Sequence, residues 1–520
     1  MSQAALARAF PQRFTDAERC GDGTYGIVYK VKCQGGREKA AKVYRYDESN
    51  DGLSVDVVRE ISAMTYLHHR NILAIDEFNV DFDSAVLIMP AMTHSLYEYL
   101  YKSRRTPKLE CTTTKLRICK SICNGIAYMH NVQFVHRDLK PHNVLIDEDT
   151  LDVKISDFGS ARRFIRGQAL TMDITTLFYR PPEQLFGSNS YELSVDVWSL
   201  ACTCTEVMRG IELFRSPPSG GKFTDDAQIS TIFDLLGTRD MAWAMHPQYP
   251  RFNQNITKKS KGNTTNLFPT HMKSSCPECP AAFVDVMTSA LQANPTQRVG
   301  AQQIYDTLQS VLDDPSEATT SLETHGSTEG DRLSTSDDDS SRRTNLIDWL
   351  IQKHDEFEFN NATLHLAIDI FDRYCANFPV QTAESQLVCI VALLIASKLN
   401  ETYELRWDMM IACCNQYTIT DFKKMEKKMF SGLQGNLMLL SHAASELHQI
   451  SDNVLRQIVQ YLFESSMLEK PQAHLRMKRA KKIRETTGCL HKIRDFFNQS
   501  THASLRKKFG KQIILSGCEK

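Results

Sequence analysis

Apolar positions follow two different patterns along this chain of 520 residues. In the first part, up to about residue 312, β-type residues flank a glycine-rich segment at 21–28, and a helical pattern follows at 54–61. From Leu346 onward, apolar residues recur at helical spacing with few strand signals almost to the end. The pattern predicts a mixed α/β first part and an all-helical second part, because this length is too great for one ordinary core.

A polar segment separates these two parts. Residues 313–342 are acidic and rich in Ser and Thr, with almost no large apolar residue. Such a segment cannot bury enough surface to offset the entropy lost on ordering it. We therefore predict a flexible linker at 313–342, preceded by a first domain at 1–312.

Composition and charge narrow the class of protein. The chain is 42% hydrophobic and 24% charged, which is typical of soluble globular proteins. Lys+Arg 61 against Asp+Glu 62 gives a formal net charge of -1, so no global basic field indicates nucleic acid. The longest apolar run, Leu387–Ala396, is too short to span a bilayer, and no secretory signal is visible. Fifteen cysteines without such a signal predict free thiols in a reducing compartment.

Two short motifs carry the candidate chemistry. The string HRDLKPHN at 136–143 is followed by DFG at 157–159, and together they are the catalytic-loop and metal-binding signature of a protein kinase. Phosphoryl transfer needs a carboxylate to receive the proton of the attacking hydroxyl, here Asp138. It also needs ligands for metal ions, here Asn143 and Asp157.

The elements predicted to bind ATP precede these motifs. In the string GDGTYGIV at 21–28, small glycines allow backbone amides to close over phosphates. Lys42 follows in a strand pattern and would contact the phosphates, and Glu60, in the helical pattern, is the candidate carboxylate that fixes it. The loop residues predicted to bind the nucleotide are Gly21, Gly23, Gly26 and Val28.

Over roughly residues 14–312 the chain resembles the cyclin-dependent kinases. Residues 59–61 keep the Arg-Glu-Ile end of their PSTAIREI helix, and TLFYRPPE at 176–183 is similar to their TLWYRAPE. SVDVWS at 194–199 is similar to their following helix. Departures at 54–58 leave the identity of the regulatory partner open.

The resemblance implies roles for further residues. Lys140 would steady the transferred phosphate, Thr176 would belong to the catalytic set, and Asp196 would brace the catalytic loop. Thr175 stands where the family has a valine, near the pocket for a proline that follows the phosphorylated residue. Met89 would be the gatekeeper and Met92 would offer its backbone to adenine, although this stretch is also compatible with a plain core strand.

Regulatory positions are implied in the same way. Thr24 and Tyr25 match the loop residues whose phosphorylation inhibits these kinases, since it places negative charge beside ATP. Thr171 matches the activating phosphothreonine. The arginines that would gather its phosphate are Arg59, Arg137 and Arg162.

The helical second part resembles a cyclin. RTNLIDWL at 343–350, FDRY at 371–374, ALLIASK at 392–398 and KME at 424–426 match its first box in order and spacing. The resemblance implies that Lys398 and Glu426 hydrogen-bond the signature helix of the kinase. We predict a cyclin box at 343–435 and an abbreviated second cyclin-like helical fold at 436–520. A basic cluster at 476–482 is either a nuclear-localisation patch or a solvated helix face.

The resemblances together imply a multidomain chain, an α+β bilobal protein kinase fold followed by an all-α cyclin fold. Such a chain would use ATP and Mg²⁺ to phosphorylate Ser or Thr, with proline-directed specificity, in protein substrates. Its own cyclin would activate it, in cell-cycle control. Implied partners are regulatory kinases, phosphatases and inhibitors of cyclin-dependent kinases, with neither nucleic acid nor membrane, in the nucleus and cytoplasm. The alternatives are a transcription-type kinase acting on polymerase tails and a non-catalytic decoy that sequesters cell-cycle partners.

Overall fold

A computed structural model describes most of the chain and divides it into two compact units. Unit 1 comprises residues 1–47 and 59–322, and unit 2 comprises residues 48–58 and 323–520. Unit 2 therefore includes a short segment from the first part of the sequence, which the apolar pattern does not predict. The described residues are 2–22, 26–45, 52–81, 84–101, 111–164, 175–188, 192–218, 222–238, 241–252, 264–313, 337–403 and 405–437.

Unit 1 begins with a helix packed on an antiparallel sheet. Residues alternate in exposure along the second strand, where Tyr29 and Val31 are buried and Lys30 is exposed. Helix α1 (Ser2–Ala9) places Ala5 and Leu6 in the core cluster that covers this sheet. The strands, in spatial order β1-β2-β3-β5-β4, are β1 (Phe14–Asp22), β2 (Gly26–Cys33), β3 (Glu38–Arg45), β4 (Glu77–Val80) and β5 (Ser84–Pro90).

The rest of unit 1 is mainly helical. It contains a three-stranded sheet in the order β6-β8-β9 and a two-stranded sheet of β7 and β10. These strands are β6 (His94–Ser95), β7 (Phe134–Val135), β8 (Val144–Ile146), β9 (Val153–Ile155) and β10 (Arg162–Arg163). The helices are α2 (Val55–Tyr66), α3 (Leu96–Tyr101), α4 (Thr112–Asn131), α5 (Pro182–Leu185), α6 (Ser194–Arg209), α7 (Asp225–Leu236), α8 (Phe268–Ser275), α9 (Ala281–Ala290) and α10 (Ala301–Leu312). Helix α2 contains the division between the units, at residues 58 and 59.

Unit 2 is helical wherever its secondary structure is described. Its helices are α11 (Asp337–Glu356), α12 (Asn361–Asn377), α13 (Ser385–Asn400), α14 (Trp407–Cys413) and α15 (Ile419–Gly432). Helix α13 is buried along nearly its whole length, as its uniform apolar sequence predicts. The helical span Thr382–Asn400 is long and apolar enough to cross a membrane, but 78% of the span is buried inside the fold, as in the core helix of a soluble protein.

The predicted linker is too long at its C-terminal end. Helix α11 begins at Asp337, so residues 337–342 are helical. The helix therefore overlaps the last residues of the predicted linker, 337–342. Residues 314–336 of the predicted linker, and nearly all of the predicted second cyclin-like fold, lie outside the described residues.

Cysteine usage agrees with the prediction of free thiols. The cysteines in the described part of the chain form no disulfide. Among the same residues, no group of three or more His, Cys, Asp or Glu side chains could hold a metal ion.

Candidate active site

The catalytic loop surrounds Asp138 with hydrogen-bond donors. Lys140 Nζ lies 2.8 Å from Asp138 Oδ2, and the amide nitrogen of Asn143 lies 3.1 Å from the same oxygen. Thr176 donates to Asp138 Oδ1 through its backbone N–H at 3.0 Å and its hydroxyl at 2.8 Å. Lys140 Nζ also reaches the Thr176 hydroxyl oxygen at 2.8 Å. The structure therefore brings together Asp138, Lys140, Asn143 and Thr176, which the sequence places in two separate motifs.

Asp196 fixes the backbone just before the candidate base. Its carboxylate accepts hydrogen bonds from the N–H of His136 at 2.7 Å and of Arg137 at 2.8 Å. Burial alone would raise the pKa of Asp196, but interactions with His130 and His136 outweigh burial and hold its pKa below the usual value. The catalytic loop is thus anchored to helix α6 by a carboxylate that stays charged.

A two-stranded hairpin brings the candidate metal ligands together. Asn143 directly precedes β8, and Asp157 follows β9 by two residues, while Val144 pairs with Ile155 in the ladder. Ser156 donates to the Asn143 carbonyl at 2.9 Å, which closes the ends of the two strands. An amide and a carboxylate supply the oxygen ligands that Mg²⁺ prefers, so these residues fit a hard divalent cation.

Lys42 is held by two carboxylates. Its Nζ lies 2.8 Å from both oxygens of Glu60 and 3.6 Å from Asp157 Oδ1. Burial alone would lower the pKa of Lys42, but the charges of Glu60 and Asp157 raise it above its ordinary value. Lys42 is therefore a fixed cation beside a candidate metal ligand.

The nucleotide-binding elements are described in part. Val28 lies opposite Lys42 in the β2–β3 ladder. A Cβ added at Gly26 would lie 2.7 Å from the Val43 carbonyl oxygen, so the close approach of β2 and β3 requires glycine there. At Gly21 an added Cβ would meet nothing within 4 Å, so no steric requirement for glycine is visible. Gly23, Thr24 and Tyr25 lie outside the described residues.

The predicted hinge continues from a buried strand. Strand β5 ends at Pro90, and Met89 is 6% exposed. Met92 lies two residues beyond the strand and is partly buried. Met89 therefore lies in a core strand, and the adenine contact of Met92 stays a prediction.

The residues before the TLFYRPPE string are tied to the catalytic loop. Thr175 donates its hydroxyl to the Arg137 carbonyl at 2.6 Å, and its own carbonyl accepts from Arg180 Nε at 3.1 Å and Nη2 at 2.9 Å. Arg59, Arg137 and Arg162 are 7%, 1% and 1% exposed. The candidate phosphorylation site Thr171 lies outside the described residues.

Sequence reasoning missed two polar clusters in unit 1. Tyr44 donates its hydroxyl to Glu60, and its spacing of two residues from Lys42 along β3 could have placed it on the same face. The other cluster is centred on Glu206 of α6, which accepts hydrogen bonds from Tyr101 at 2.8 Å and Tyr179 at 2.6 Å. Burial raises the pKa of Glu206 to about 7, against the effect of the two hydroxyls. No short-range pattern links these three residues.

In unit 2, Lys398 and Glu426 form a buried pair around a backbone segment. Lys398 Nζ lies 2.6 Å from Glu426 Oε1 and 2.7 Å from the Leu53 carbonyl oxygen. Glu426 Oε2 accepts the Leu53 N–H at 3.1 Å. The two side chains thus satisfy the carbonyl and the N–H of one residue, two positions before α2 begins.

A glycine permits this close contact. Gly52 has φ +95°, and a Cβ there would lie 2.3 Å from Glu426 Oε2 and 3.0 Å from the Trp407 ring. Elsewhere in unit 2, Arg343 Nε lies 2.6 Å from Asp372 Oδ1, which joins α11 to α12. Unit 2 therefore contains a second charged pair besides that of Lys398 and Glu426.

Comparison with known proteins defines the class of protein. Residues 14–308 match the family model described as protein kinase domain, and residues 317–438 match the model described as cyclin, N-terminal domain. The chain therefore belongs to the protein kinase family and carries an N-terminal cyclin domain after its kinase domain. The predicted fold class, a bilobal kinase fold followed by an all-α cyclin fold, is confirmed.

Individual relatives resemble the kinase part. Cell division control protein 2 homolog 3 of Trypanosoma brucei brucei is 33% identical over 295 residues, which cover 56% of this chain and 89% of that protein. A crystal structure of the yeast RNA Pol II CTD kinase CTDK-1 complex matches with 26% identity and a TM-score of 0.49, covering 56% of this chain and 92% of that chain. The kinase part is thus that of a serine/threonine kinase similar to cyclin-dependent kinases, and this family uses ATP with divalent metal ions.

Proposed function

We propose that this chain is a cyclin-dependent kinase activated by its own cyclin domain. It transfers the γ-phosphoryl group of MgATP to serine or threonine residues that precede proline in protein substrates. The observation that carries this proposal is the set of contacts around Asp138, supported by the intact Lys42–Glu60 ion pair. A non-catalytic decoy has no need of either arrangement.

Asp138 is the proposed proton acceptor. The donors of Thr176 hold Oδ1, and those of Lys140 and Asn143 hold Oδ2, so the carboxylate is oriented before a substrate arrives. It would receive the proton of the substrate hydroxyl as that oxygen attacks the γ-phosphorus. Lys140 would stabilise the charge on the transferred phosphoryl group.

Asn143 and Asp157 would hold Mg²⁺, and Lys42 would contact the phosphates. The metal ion would neutralise the charge that develops on the phosphate oxygens. Glu60 keeps the Lys42 ammonium in place at 2.8 Å, so the cation needs no rearrangement when ATP binds.

The Thr175 carbonyl supports a preference for proline after the phosphorylated residue. It already accepts two hydrogen bonds from Arg180, so it cannot readily accept one from the backbone of a peptide substrate. Proline has no backbone N–H and therefore loses nothing at this position. A residue with an N–H there would lose a hydrogen bond to water without replacing it.

The test uses the purified full-length chain with matched peptides. Radiolabelled ATP and peptides that differ only in Ser-Pro against Ser-Ala should give kcat/KM values that differ by about tenfold or more, which corresponds to ~1.4 kcal/mol. Asp138→Asn serves as the inactive control. Equal values for the two peptides would contradict proline-directed specificity while leaving the kinase assignment intact.

Activation by the attached cyclin domain is supported by the contacts of Leu53. Lys398 and Glu426 hold its backbone, and the chain runs from there directly into α2, which carries Glu60. Holding the start of α2 would favour the position in which Glu60 pairs with Lys42. Tethering supplies an effective concentration on the order of mM, so activation would not require a separate cyclin.

A glycine substitution tests this activation. Gly52→Ala would place a Cβ against Glu426 and Trp407 and should lower kcat roughly tenfold, equivalent to ~1.4 kcal/mol. Gly36→Ala is the matched control, since Gly36 also has positive φ (+81°) but open space around its Cβ position. Equal effects of the two substitutions would mean that backbone strain alone is responsible.

Dilution distinguishes activation in cis from pairing between two chains. Because the tether fixes the local concentration, specific activity should be constant from ~1 nM to ~1 μM enzyme. A steep fall on dilution would show that one chain activates another.

Regulation and cellular role complete the proposal. We propose that phosphate on Thr171 binds Arg59, Arg137 and Arg162, and that phosphate on Thr24 or Tyr25 inhibits the enzyme. The similarity to cell division control protein 2 homolog 3 of Trypanosoma brucei brucei supports a role in cell division. We propose that the enzyme acts in the nucleus and cytoplasm. Faster phosphorylation of a polymerase-tail peptide than of a linker histone would favour a transcriptional role instead.

A further inference from the structure

Thr175 makes a contact that the cyclin-dependent kinase pattern does not provide. Its side chain is buried, with 2% of the residue exposed, and its hydroxyl donates to the Arg137 carbonyl at 2.6 Å. That carbonyl belongs to the peptide unit that joins Arg137 to Asp138. The orientation of this peptide unit sets the direction in which the Asp138 side chain leaves the backbone.

Arg137 needs such a restraint. Its φ is +70°, in the left-handed region that non-glycine residues rarely adopt. Its N–H is held by Asp196 at 2.8 Å, and its carbonyl is held by Thr175 on the other side. Strained backbone of this kind persists only where surrounding contacts impose it.

The next residue acts on the carboxylate itself. Thr176 donates its N–H and its hydroxyl to Asp138 Oδ1 at 3.0 and 2.8 Å. Two consecutive threonines thus hold Asp138, Thr175 through the preceding peptide unit and Thr176 through the side chain. The valine that the family resemblance predicts at 175 has no hydroxyl and could not make the first of these contacts.

We propose that the Thr175 hydroxyl is a positioning group for the proposed base Asp138. This proposal rests on the proposed kinase activity. Without the hydroxyl, the Arg137 carbonyl loses a buried donor, and Asp138 samples orientations in which it is further from the substrate hydroxyl. The loss therefore falls on the chemical step and not on ATP binding, because the Thr175 hydroxyl bonds to the catalytic loop, whereas Lys42 is held by Glu60 and Asp157.

The test compares Thr175→Val with wild type in the full-length chain. Valine keeps the shape and removes the hydroxyl, so kcat should fall about 3- to 10-fold while KM for ATP stays within about twofold. Thr175→Ser keeps the hydroxyl and should restore most of kcat. Thr203→Val is the matched control, since Thr203 is fully buried but its hydroxyl makes no hydrogen bond within the described residues.

A second pair keeps the test decisive if the valine variant does not fold. Thr175→Ser and Thr175→Ala differ only by the hydroxyl, and the alanine variant should have the lower kcat by about the same 3- to 10-fold. Equal kcat for serine and alanine, or for valine and wild type, would overturn the positioning role. Wild-type protein without phosphoryl transfer, or transfer unaffected by Asp138→Asn, would instead overturn the proposed function.

Discussion

Among the lysine–carboxylate pairs of the described residues, two differ in what surrounds them. Lys140 and Asp138 have side chains 20% and 14% exposed, and both make further contacts with Thr176. Lys398 and Glu426 are 1% and 0% exposed, and both contact the backbone of Leu53. The first pair keeps access for a substrate, whereas the second encloses its ligand, a segment of the chain itself.

The comparison shows how burial decides the role of a charged pair. A partly exposed pair can exchange partners when a phosphate or a hydroxyl arrives, because water solvates each charged group while it has no partner. A fully buried pair cannot lose one member without leaving an uncompensated charge. A lysine–carboxylate pair thus suits the proposed phosphoryl transfer where it is partly exposed. Where it is fully buried, it suits recognition of the Leu53 backbone.

The largest effect is expected at the partly exposed pair of Lys140 and Asp138. Asp138→Asn removes the proton acceptor and leaves the phosphate contacts in place, so kcat should fall by about 10²–10⁴ while ATP affinity changes little. Single-turnover kinetics and nucleotide titration measure the two quantities. Residual turnover within a few-fold of wild type would remove Asp138 from the role of base.

At the buried pair the expected effect is on stability. Lys398→Ala leaves Glu426 buried without its cation and should lower the unfolding free energy by about 3–5 kcal/mol. Lys398→Met with Glu426→Leu should recover most of that stability, since apolar residues of similar size replace buried charges well. Activity should not recover with it, because the Leu53 backbone loses both partners. Denaturant unfolding measures the stability, and kinase assays measure the activity. Recovery of both in the double variant would contradict a recognition role for this pair.

Glu206 extends the comparison to a buried carboxylate held by hydroxyls and no lysine. Its pKa is raised to about 7 from 4.5, so the folded state binds the proton more tightly than the unfolded state. Its contribution to stability is therefore fully present below pH 4.5 and is lost as the pH rises towards 7. Relative to Glu206→Gln, wild type should lose about 3 kcal/mol over this interval.

Unfolding measured at several pH values checks this expectation. Glu212→Gln is a useful control, because the charge of Glu212 adds to the raised pKa of Glu206. Removing it should shift the pH dependence to lower values. A difference between wild type and Glu206→Gln that does not vary with pH would show that the pKa of Glu206 is the same in the folded and unfolded states.

The smallest effect is expected at an exposed pair. Lys30 and Glu38 lie 2.7 Å apart with side chains 47% and 41% exposed. Lys30→Gln should change the unfolding free energy by less than about 0.5 kcal/mol and leave kcat unaltered. Thermal unfolding measures the change in unfolding free energy. A larger loss would mean that burial does not explain the difference between the charged pairs.

The sequence predicted which distant residues meet but not all of the contacts they make. Lys42 could be paired with Glu60, Asp138 and Thr176 could be assigned to one catalytic set, and Lys398 and Glu426 to one interface, because ordered motifs at fixed spacing carry information about the whole fold. Each pair forms in the structure. The pairings came from the resemblance, since each residue taken alone would more often be a surface charge.

The contacts and helix boundaries that could not be predicted depend on the conformational freedom of single side chains and short segments. The hydroxyl of Thr175 can turn towards several acceptors, and only the folded backbone shows that it reaches the Arg137 carbonyl. Helix α11 starts before the predicted boundary, within a stretch whose polar composition does not indicate a helix. Helix α1 has eight residues, too few for apolar periodicity to indicate it.

Helix α1 also has a consequence for synthesis of the chain. Ala5 and Leu6 are buried in a cluster that includes Val43, Val86 and Ile88, and a helix of this length is not stable alone in water. At 5–20 residues per second, roughly 4–16 s separate the synthesis of Leu6 from that of Ile88. Helix α1 is therefore synthesised before the strands that cover Ala5 and Leu6, and these side chains stay exposed until strand β5 has emerged.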